Sequence, residues 1–540
     1  MAGGRLVATM RSDPQSFNRL VAPFAGVDLV SRLTQASLVR LNRSTGELEP
    51  RLAHHWAVSG DGLTWTLELV AARFSDGEPF TSADVAFTFE ALYDPGVKSE
   101  LGSSLRIAGA PLQVETPDSR TVVIRFPAPY GAGLQLLDAL PILPRHRLAE
   151  ALANGTFRDA WGLSSPPSDI VGLGPFVLDG YTPGRQLLFG RNPHFWLRAE
   201  SGAVLPYLDE LEVQIVSDVN TEMLRLEAGV VDLTTDEIRA EDYAAMRRLE
   251  ERGRVKLASA GVTVSPHALW FNLSPTASDE RAWLRHPAFR RAVSHAVDRR
   301  SLIDTVYLGA AEPIFGPVTP GHGDWYLPDL PRTDFDPGAA RDLLSSAGLT
   351  DGNGDGVLED AGGRPVRFSI LTARGSGVRD RSVAVIQDHL SRVGLTVDVI
   401  ALDVGSMVAR WQARDYDTMF FYVAFDSFDP ARSMEFWLSS GSFHFWNASQ
   451  STPATSWEAH IDDLMRQQAT TLDHAERQRL FAEAQRTLAE HLPILYFAAP
   501  QVTYATSARV EGARPSVLQP AILWNAETLS VTAAGATTER

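Results

Sequence analysis

Two arginines stand where the chain can present positive charge to a small molecule. Arg374 and Arg379 come soon after the predicted strand Phe368–Leu371. A guanidinium carries several N–H donors in a rigid plane, which suits a carboxylate or another anionic group. The alternative for each residue is a solvated surface arginine. The pattern therefore predicts either a site for an anionic ligand group or two surface charges.

Aromatic residues concentrate in the second half of the chain. They are Trp270, Trp411, Tyr422, Phe425, Phe428, Trp437, Phe445 and Trp446. Most are expected in the core, because large rings contribute most by burial. The run FHFW at 443–446 lies among Ser, Gly and Asn, which favours a place outside the core. We expect Phe445 and Trp446, with Trp411 and Phe425, to cover apolar groups or to stack on sugar rings, and His444 is a further candidate.

Metal chemistry has little support in the sequence. The run DGNGDG at 351–356 is similar to the start of a calcium loop, but Gly362 occupies the twelfth position, where a bidentate Glu belongs. The same residues can form an Asx and Gly turn before a strand. His54 and His55 have no third ligand at a matching spacing. There is no cysteine, so thiolate sites and disulfides are excluded. We expect no metal and no cofactor.

Bulk properties and missing motifs narrow the function further. The chain has 540 residues, which suggests two or three domains. A net charge of −17 argues against nucleic acid as a partner. Lys98 and Lys256 are the only lysines, and the Gly-Lys pair of a P-loop is absent. Neither a G-x-S-x-G elbow nor an H-E-x-x-H motif occurs. No apolar run approaches the roughly 20 residues of a membrane span.

The segment Arg51–Pro95 predicts a strand, a turn, a strand, a turn and a helix. Apolar residues alternate with polar ones from Leu63 to Leu69, which is the period of a half-buried strand. Two Asp-Gly turns flank this strand, Gly60-Asp61-Gly62 before it and Ser75-Asp76-Gly77 after it. Thr81 and Asp84 have the spacing of a helix capping pair.

Read as a series, this segment resembles the signature of the extracellular solute-binding proteins of peptide-type ABC importers, the dipeptide/oligopeptide/nickel-binding class. The resemblance continues in order from about residue 5 to about residue 530. Further runs that are similar to the family are PILP (141–144), VGLGPFV (171–177), RNPHFW (191–196), ALWFNL (268–273) and HPAFRRAVSHAVDRR (286–300). A match spread over the whole chain is typical of a shared fold.

Periodicity predicts the main elements. The predicted strands are Arg5–Met10, Leu38–Leu41, Val114–Glu115, Thr121–Phe126, Glu212–Val216, Val231–Leu233, Phe368–Leu371, Thr396–Ala401 and Thr418–Ala424. The predicted helices are Asp28–Ser37, Asn220–Gly229, His286–Arg300, Val378–Val393 and His474–His491.

The resemblance implies an α/β fold of the type II periplasmic-binding-protein kind, with two lobes around a ligand cleft and an extra subdomain on lobe 1. Lobe 1 would comprise 1–41, 172–265 and 497–540, the subdomain 42–171, and lobe 2 residues 266–496. The chain would cross between the lobes near 265 and near 497.

The resemblance also implies residues of the ligand site. Asp426 matches the acid that pairs with the α-ammonium of a peptide. Such a pair is favourable only when both charges are desolvated together and hydrogen-bonded. The alternative is that Asp426 caps the following turn. Val423 replaces the tryptophan that the family has three residues earlier, so the wall of the first subsite differs from that of the peptide binders.

In peptide-binding members the ligand backbone is added as a strand. By position, the edges that would receive it are Ala36, Ser37 and Leu38, and Tyr422, Val423 and Ala424. Trp270 and Asn272, in the run that enters the second lobe, are assigned to the same site.

The function that the resemblance implies is capture of a peptide-type solute and delivery to two permease subunits with their ATPases. No bond is broken, so the chain is not expected to be an enzyme, and it is expected to be a monomer. Its place would be periplasmic or extracellular, with a removed signal or lipoprotein leader. Rival ligands are an oligosaccharide, an opine-like conjugate and a metal chelate. A secreted hydrolase would need a catalytic pair that the sequence does not show.

Overall fold

The chain divides into two units, of which the computed structural model describes residues 3–275 and 279–532. Unit 1 contains Met1–Ala260 and Val502–Arg540, and unit 2 contains Gly261–Gln501. Division of unit 1 into a lobe and a subdomain at 42–171 stays a prediction. No helix among the described residues is both long and apolar enough to cross a bilayer.

The strands, numbered along the chain, are β1 (Arg5–Met10), β2 (Val39–Leu41), β3 (Leu48–Pro50), β4 (Ala53–Val58), β5 (Thr64–Leu69), β6 (Arg106–Ile107), β7 (Ala110–Pro111), β8 (Gln113–Asp118), β9 (Thr121–Arg125), β10 (Phe176–Thr182), β11 (Gln186–Arg191), β12 (Glu210–Ile215), β13 (Leu233–Thr234), β14 (Val255–Val262), β15 (Ala268–Phe271), β16 (Ala311–Pro313), β17 (Arg367–Ala373), β18 (Thr396–Leu402), β19 (Thr418–Phe421), β20 (Ile494–Tyr496), β21 (Ala498–Ser507), β22 (Val510–Glu511) and β23 (Ser530–Val531).

The helices are α1 (Ala25–Thr34), α2 (Ser82–Tyr93), α3 (Glu100–Ser104), α4 (Arg145–Ala153), α5 (Val219–Glu227), α6 (Tyr243–Glu251), α7 (Pro287–Ala296), α8 (Arg299–Val306), α9 (Pro337–Ser346), α10 (Gly377–Ser391), α11 (Val404–Gln412), α12 (Met434–Trp437), α13 (Ser456–Thr470) and α14 (His474–His491).

Unit 1 is built on a main sheet with the order β10-β11-β12-β1-β13-β21-β14. Strand β1 lies between β12 and β13 and is parallel to both. Helix α5 connects β12 to β13, as in a βαβ crossover. A separate antiparallel sheet has the order β4-β5-β9-β8. The predicted capping pair before α2 is confirmed, since the Thr81 N–H donates to Asp84 and the Ala83 N–H to Thr81.

Unit 2 is built on a five-stranded sheet with the order β18-β17-β19-β15-β20. Strand β17 is parallel to β18 and β19, whereas β15 is antiparallel to β19 and β20. Successive side chains of β15 enter different cores. Leu269 and Phe271 join the core that includes residues of α7, α8 and α10. Trp270 joins a second core, of aliphatic and aromatic residues, to which α12, α13 and α14 contribute.

Strong periodic patterns located several elements. The errors in the predicted elements lie at boundaries, where a helix divides into two or a strand ends early. The predictions Arg5–Met10 and His474–His491 are confirmed to the residue. The predicted helix His286–Arg300 is wrong as one element, because Asp298 accepts hydrogen bonds from the N–H groups of Arg300 and Ser301 and thereby starts α8. The predicted strand Thr418–Ala424 is too long by Tyr422, Val423 and Ala424, because β19 ends at Phe421.

Gly174 lies against the end of α1, where no side chain has room. A Cβ atom there would be 2.3 Å from the carbonyl carbon of Thr34 and 2.5 Å from the nitrogen of Gln35. Both neighbours are backbone atoms, so the main chain must move. We expect Gly174→Ala to lower the free energy of unfolding by about 2 kcal/mol, measured by urea titration.

The matched control is Gly60→Ala, because a Cβ at Gly60 would meet no atom within 4 Å. Its urea midpoint should equal that of the wild type. Equal urea midpoints for Gly174→Ala and Gly60→Ala would show that the backbone around Gly174 can move to accept a Cβ without loss of stability.

Candidate ligand-binding site

The candidate site of unit 2 lies where three parallel strands end together. β17, β18 and β19 run in the same direction, so their carboxyl ends share one edge of the sheet. Arg374 directly follows β17, Asp403 follows β18 and Tyr422 follows β19. In open α/β sheets this edge is where ligands bind. The edge therefore brings together Arg374, Arg379 and Tyr422, which were predicted as ligand contacts on separate grounds.

Both arginines are fixed by main-chain carbonyl groups. The Arg374 Nε donates to the Ala401 carbonyl at 2.8 Å, and the Arg379 Nε donates to the Ala373 carbonyl at 3.2 Å. Arg379 also lies 5.4 Å from the centre of the Phe421 ring. Within the described ranges, neither arginine has a carboxylate within ion-pair distance. Their charges are therefore positioned by the sheet edge, and no acid of the described residues forms a direct ion pair with them.

His267 is a site residue that the sequence analysis missed. Its ring lies 5.2 Å from that of Tyr422 and stacks on Phe420 at 5.7 Å. Burial, together with the charge of Arg379, lowers the pKa of the His267 imidazole to about 3, so the ring is neutral near pH 7. Its Nε2 is buried and has no hydrogen-bond partner among the described residues. The sequence feature that could have pointed to His267 is its position directly before the run ALWFNL.

Asp426 is exposed and does not cap the turn that follows it. Its side chain is 71% exposed and pairs with Arg432 at 3.2 Å. The turn is closed instead by Ser427, which accepts from the Asp429 N–H, and by Asp429, which accepts from the Ala431 N–H. The turn-capping alternative is thus wrong for Asp426. Its contact with a ligand ammonium stays a prediction.

Trp270 and Asn272, which were predicted to contact the ligand, are core residues, and the structure does not favour that role. The Trp270 indole is fully buried and donates to the Phe421 carbonyl. Asn272 is buried and donates to the carbonyls of Arg414 and Tyr416, at the opposite end of β19. Their polar groups are already bonded within the protein, so they have nothing to offer a solute.

The expectation that the run FHFW lies outside the core holds for Phe443, which is 46% exposed, and is wrong for the three residues that follow it. Phe445 and Trp446 are buried, and His444 is 1% exposed. The reason is Glu458, which bonds to His444 Nε2 at 3.2 Å and to Trp446 Nε1 at 3.1 Å. This buried acceptor bonds one nitrogen of each ring, and His444 Nδ1 lies 3.2 Å from the carbonyl oxygen of Phe436. Trp411 is only half-buried, and the centre of its ring lies 4.5 Å from that of Phe445, so it remains a candidate ligand contact.

The predicted edge in unit 1 is occupied by the protein itself. The carbonyl groups of Ala36, Ser37 and Leu38 accept from the N–H groups of Ile142, Leu52 and Ala53. Addition of a ligand strand along these carbonyls is therefore not favoured. On the unit 2 side Val423 is buried, whereas Tyr422 and Phe425 are half-buried and Ala424 is exposed.

The DGNGDG run forms a turn that bonds to itself. Asp351 accepts from the N–H groups of Gly354 and Gly356, as the structural interpretation predicts. Carboxylate oxygens of Asp351, Asp355 and Glu359 lie within 4.8 Å of one another. Glu359 was not considered in the sequence analysis, because the calcium-loop pattern directs attention to position 362. Exposed acids grouped in this way are common in turns without a bound ion.

Comparison with known proteins identifies similar chains over nearly the whole length. The model of the bacterial extracellular solute-binding proteins, family 5, matches residues 47–445. A probable ABC transporter-binding protein of Deinococcus radiodurans is 27% identical, over 94% of this chain and 89% of its own. Di/tripeptide-binding protein 2 of Pseudomonas aeruginosa is 27% identical, over 86% and 84%. NikA of Brucella suis, solved with Fe(III)-EDTA, superposes with a TM-score of 0.81 at 22% identity, covering 98% of this chain and 100% of that one.

Proposed function

Because the chain belongs to the bacterial extracellular solute-binding proteins of family 5, with their type II periplasmic-binding fold, we propose that it captures a peptide-type solute for an ABC importer. It would act as a monomer, deliver the solute to two permease subunits, and break no bond. A similar chain is named a di/tripeptide-binding protein, which supports a ligand of this kind.

The observation that carries the proposal is the pair Arg374 and Arg379 at the carboxyl edge of the unit 2 sheet. Each guanidinium is oriented by a main-chain carbonyl and keeps further N–H groups that can bind the carboxylate of a solute. Partial burial lowers the pKa of Arg379, which reflects the cost of keeping its charge there without a partner. A ligand carboxylate would compensate that cost. At the other end of the peptide, an ammonium would compete with Arg432 for Asp426.

The test compares di- and tripeptides that carry a free or an amidated C-terminus, by isothermal titration calorimetry. We expect the free acids to bind at least tenfold more tightly, because a charge-assisted hydrogen bond contributes about 1.5–3 kcal/mol. In Arg379→Met, which keeps the stem beside Phe421 but removes the charge, this preference should largely disappear.

Arg300→Met is the matched control, since the Arg300 side chain is 77% exposed and lies on α8 of the same unit. It should bind as the wild type does. Equal affinity for acids and amides in the wild type would contradict the role of the arginines. Binding only of an oligosaccharide or a metal chelate would replace the peptide as ligand, and formation of products from a bound solute would contradict a purely transporting role.

A further inference from the structure

Unit 1 contains a cavity where the end of α1 meets the loops 138–141, 195–196 and 523–527. The space open to the centres of water-sized spheres is about 50 Å³. A single water molecule requires only about 10–15 Å³ on this measure. The cavity therefore has room for several water molecules or for one small group of a ligand.

Charged side chains around the cavity are balanced among themselves. Arg32 pairs with Asp28 at 2.8 Å and with Asp138 at 2.9 Å. Arg40 and Arg51 both pair with the carboxylate of Glu527. Three arginines thus line the cavity with three acids. A guest that carried a net charge would break an existing ion pair, so the lining favours an uncharged guest.

Two hydrogen-bond donors of the lining lack an acceptor. Gln35 is 2% exposed, and its Nε2 finds no partner among the residues that the structure describes, although its Oε1 accepts from Ser31. The Trp196 Nε1 atom is also buried without a hydrogen-bond partner among the described residues. A buried donor without a partner costs about 1–3 kcal/mol. Both atoms have less than 1 Å² of accessible surface, so a guest reaches them only when neighbouring side chains of the lining shift. A guest that then supplies acceptor oxygens to both groups would recover that energy.

The walls add flat apolar surface to these donors. Phe195, Trp196 and Trp524 all line the cavity, although the Arg40 guanidinium, 5.0 Å from the centre of the Trp524 ring, already covers one face of that ring. Aromatic faces of this kind pack well against the C–H faces of a sugar ring, while the indole and amide N–H groups bind its hydroxyl oxygens. We propose that this cavity binds an uncharged, hydroxyl-bearing group, of which one edge of a pyranose ring is the simplest form.

The proposal does not rest on the arginine site of unit 2, and its test uses a probe without carboxylate or amine. D-Galactose is titrated by saturation-transfer NMR and calorimetry. With 12 heavy atoms at about 0.3 kcal/mol each, we expect a Kd on the order of 1 mM. Gln35→Leu and Trp196→Phe should each weaken binding at least fivefold. Trp196→Phe removes a buried unpaired donor, and in Gln35→Leu the loss of such a donor offsets the loss of the long hydrogen bond from Ser31, so neither variant should lower the melting temperature by more than a few degrees.

Trp65→Phe is the matched control. Its Nε1 is also buried without a described partner, but Trp65 does not line the cavity. This variant, and Arg379→Met, should bind galactose as the wild type does. No binding by the wild type, even with a rise in the melting temperature of Gln35→Leu, would overturn the proposal and leave a water-filled cavity. Equal binding by all variants would also overturn it.

Discussion

Arg477→Ala is expected to lower the free energy of unfolding by about 4 kcal/mol. Arg477, on α14, binds Asp429 through two nitrogens, at 2.9 Å and 2.5 Å, and both side chains are at most 5% exposed. Its guanidinium also donates to Gln468 and lies 5.0 Å from the centre of the Trp325 ring. Removal of one partner leaves the other charge buried and unpaired, which is the costly case for an ion pair.

Urea unfolding checks this, with Arg479→Ala as the control. Arg479 lies two residues further along α14 and pairs with Glu476, but its side chain is 58% exposed. Exposed pairs of this kind contribute little, so the control should unfold almost as the wild type does. The double variant Arg477→Met with Asp429→Leu should lose less than the sum of the single variants. Similar losses in Arg477→Ala and Arg479→Ala would contradict the importance of burial.

Acidification is expected to remove about 3 kcal/mol of stability through Glu458 alone. Burial would raise the pKa of this carboxyl, but hydrogen bonds from His444, Gln450 and Thr455 lower it to about 2. A carboxyl whose pKa is lowered by folding stabilises the folded state fully above its ordinary pKa of about 4.5. That contribution is then lost as the pH falls from about 4.5 towards 2.

Glu458→Gln isolates this contribution from other titrating acids. At pH 7 the variant should unfold more easily than the wild type, and the difference in unfolding free energy should shrink at pH 4 and again at pH 3. The control is Glu483→Gln, on the exposed side of α14, which should follow the wild type throughout. A difference between Glu458→Gln and the wild type that stayed constant with pH would show that the carboxylate charge is not responsible.

Local patterns predicted what local physics decides. Helix α14 was located to the residue because Asp473 caps it and its buried stripe has the helical period. Arg374 and Arg379 were proposed because they follow a predicted strand, and their contact with a ligand stays a prediction. In contrast, the break between α7 and α8 required weighing the capping tendency of Asp298 against a helical pattern that continues through it. Capping decided the outcome there.

Contacts between distant segments could not be predicted in this way. Nothing next to His444 in the sequence shows that its Nε2 will be bonded, because the partner of that atom is Glu458, in the first turn of α13. His267 was missed for a related reason. Its neighbours Phe420, in β19, and Tyr422, just after β19, come more than a hundred residues later in the chain. The sequence thus indicates which residue types are present, and the tertiary fold decides which of them meet.

The pair of Asp429 and Arg477 has a consequence for how such a binding site can diversify. The segment after β19 is held by a buried residue at its far end, while Ala424 and Asp426, nearer the strand, are exposed. Substitutions at those exposed positions should change which solutes are accepted with little loss of folding stability. Libraries for a biosensor could therefore randomise Ala424 and Asp426 freely, provided that Asp429 and Arg477 are kept.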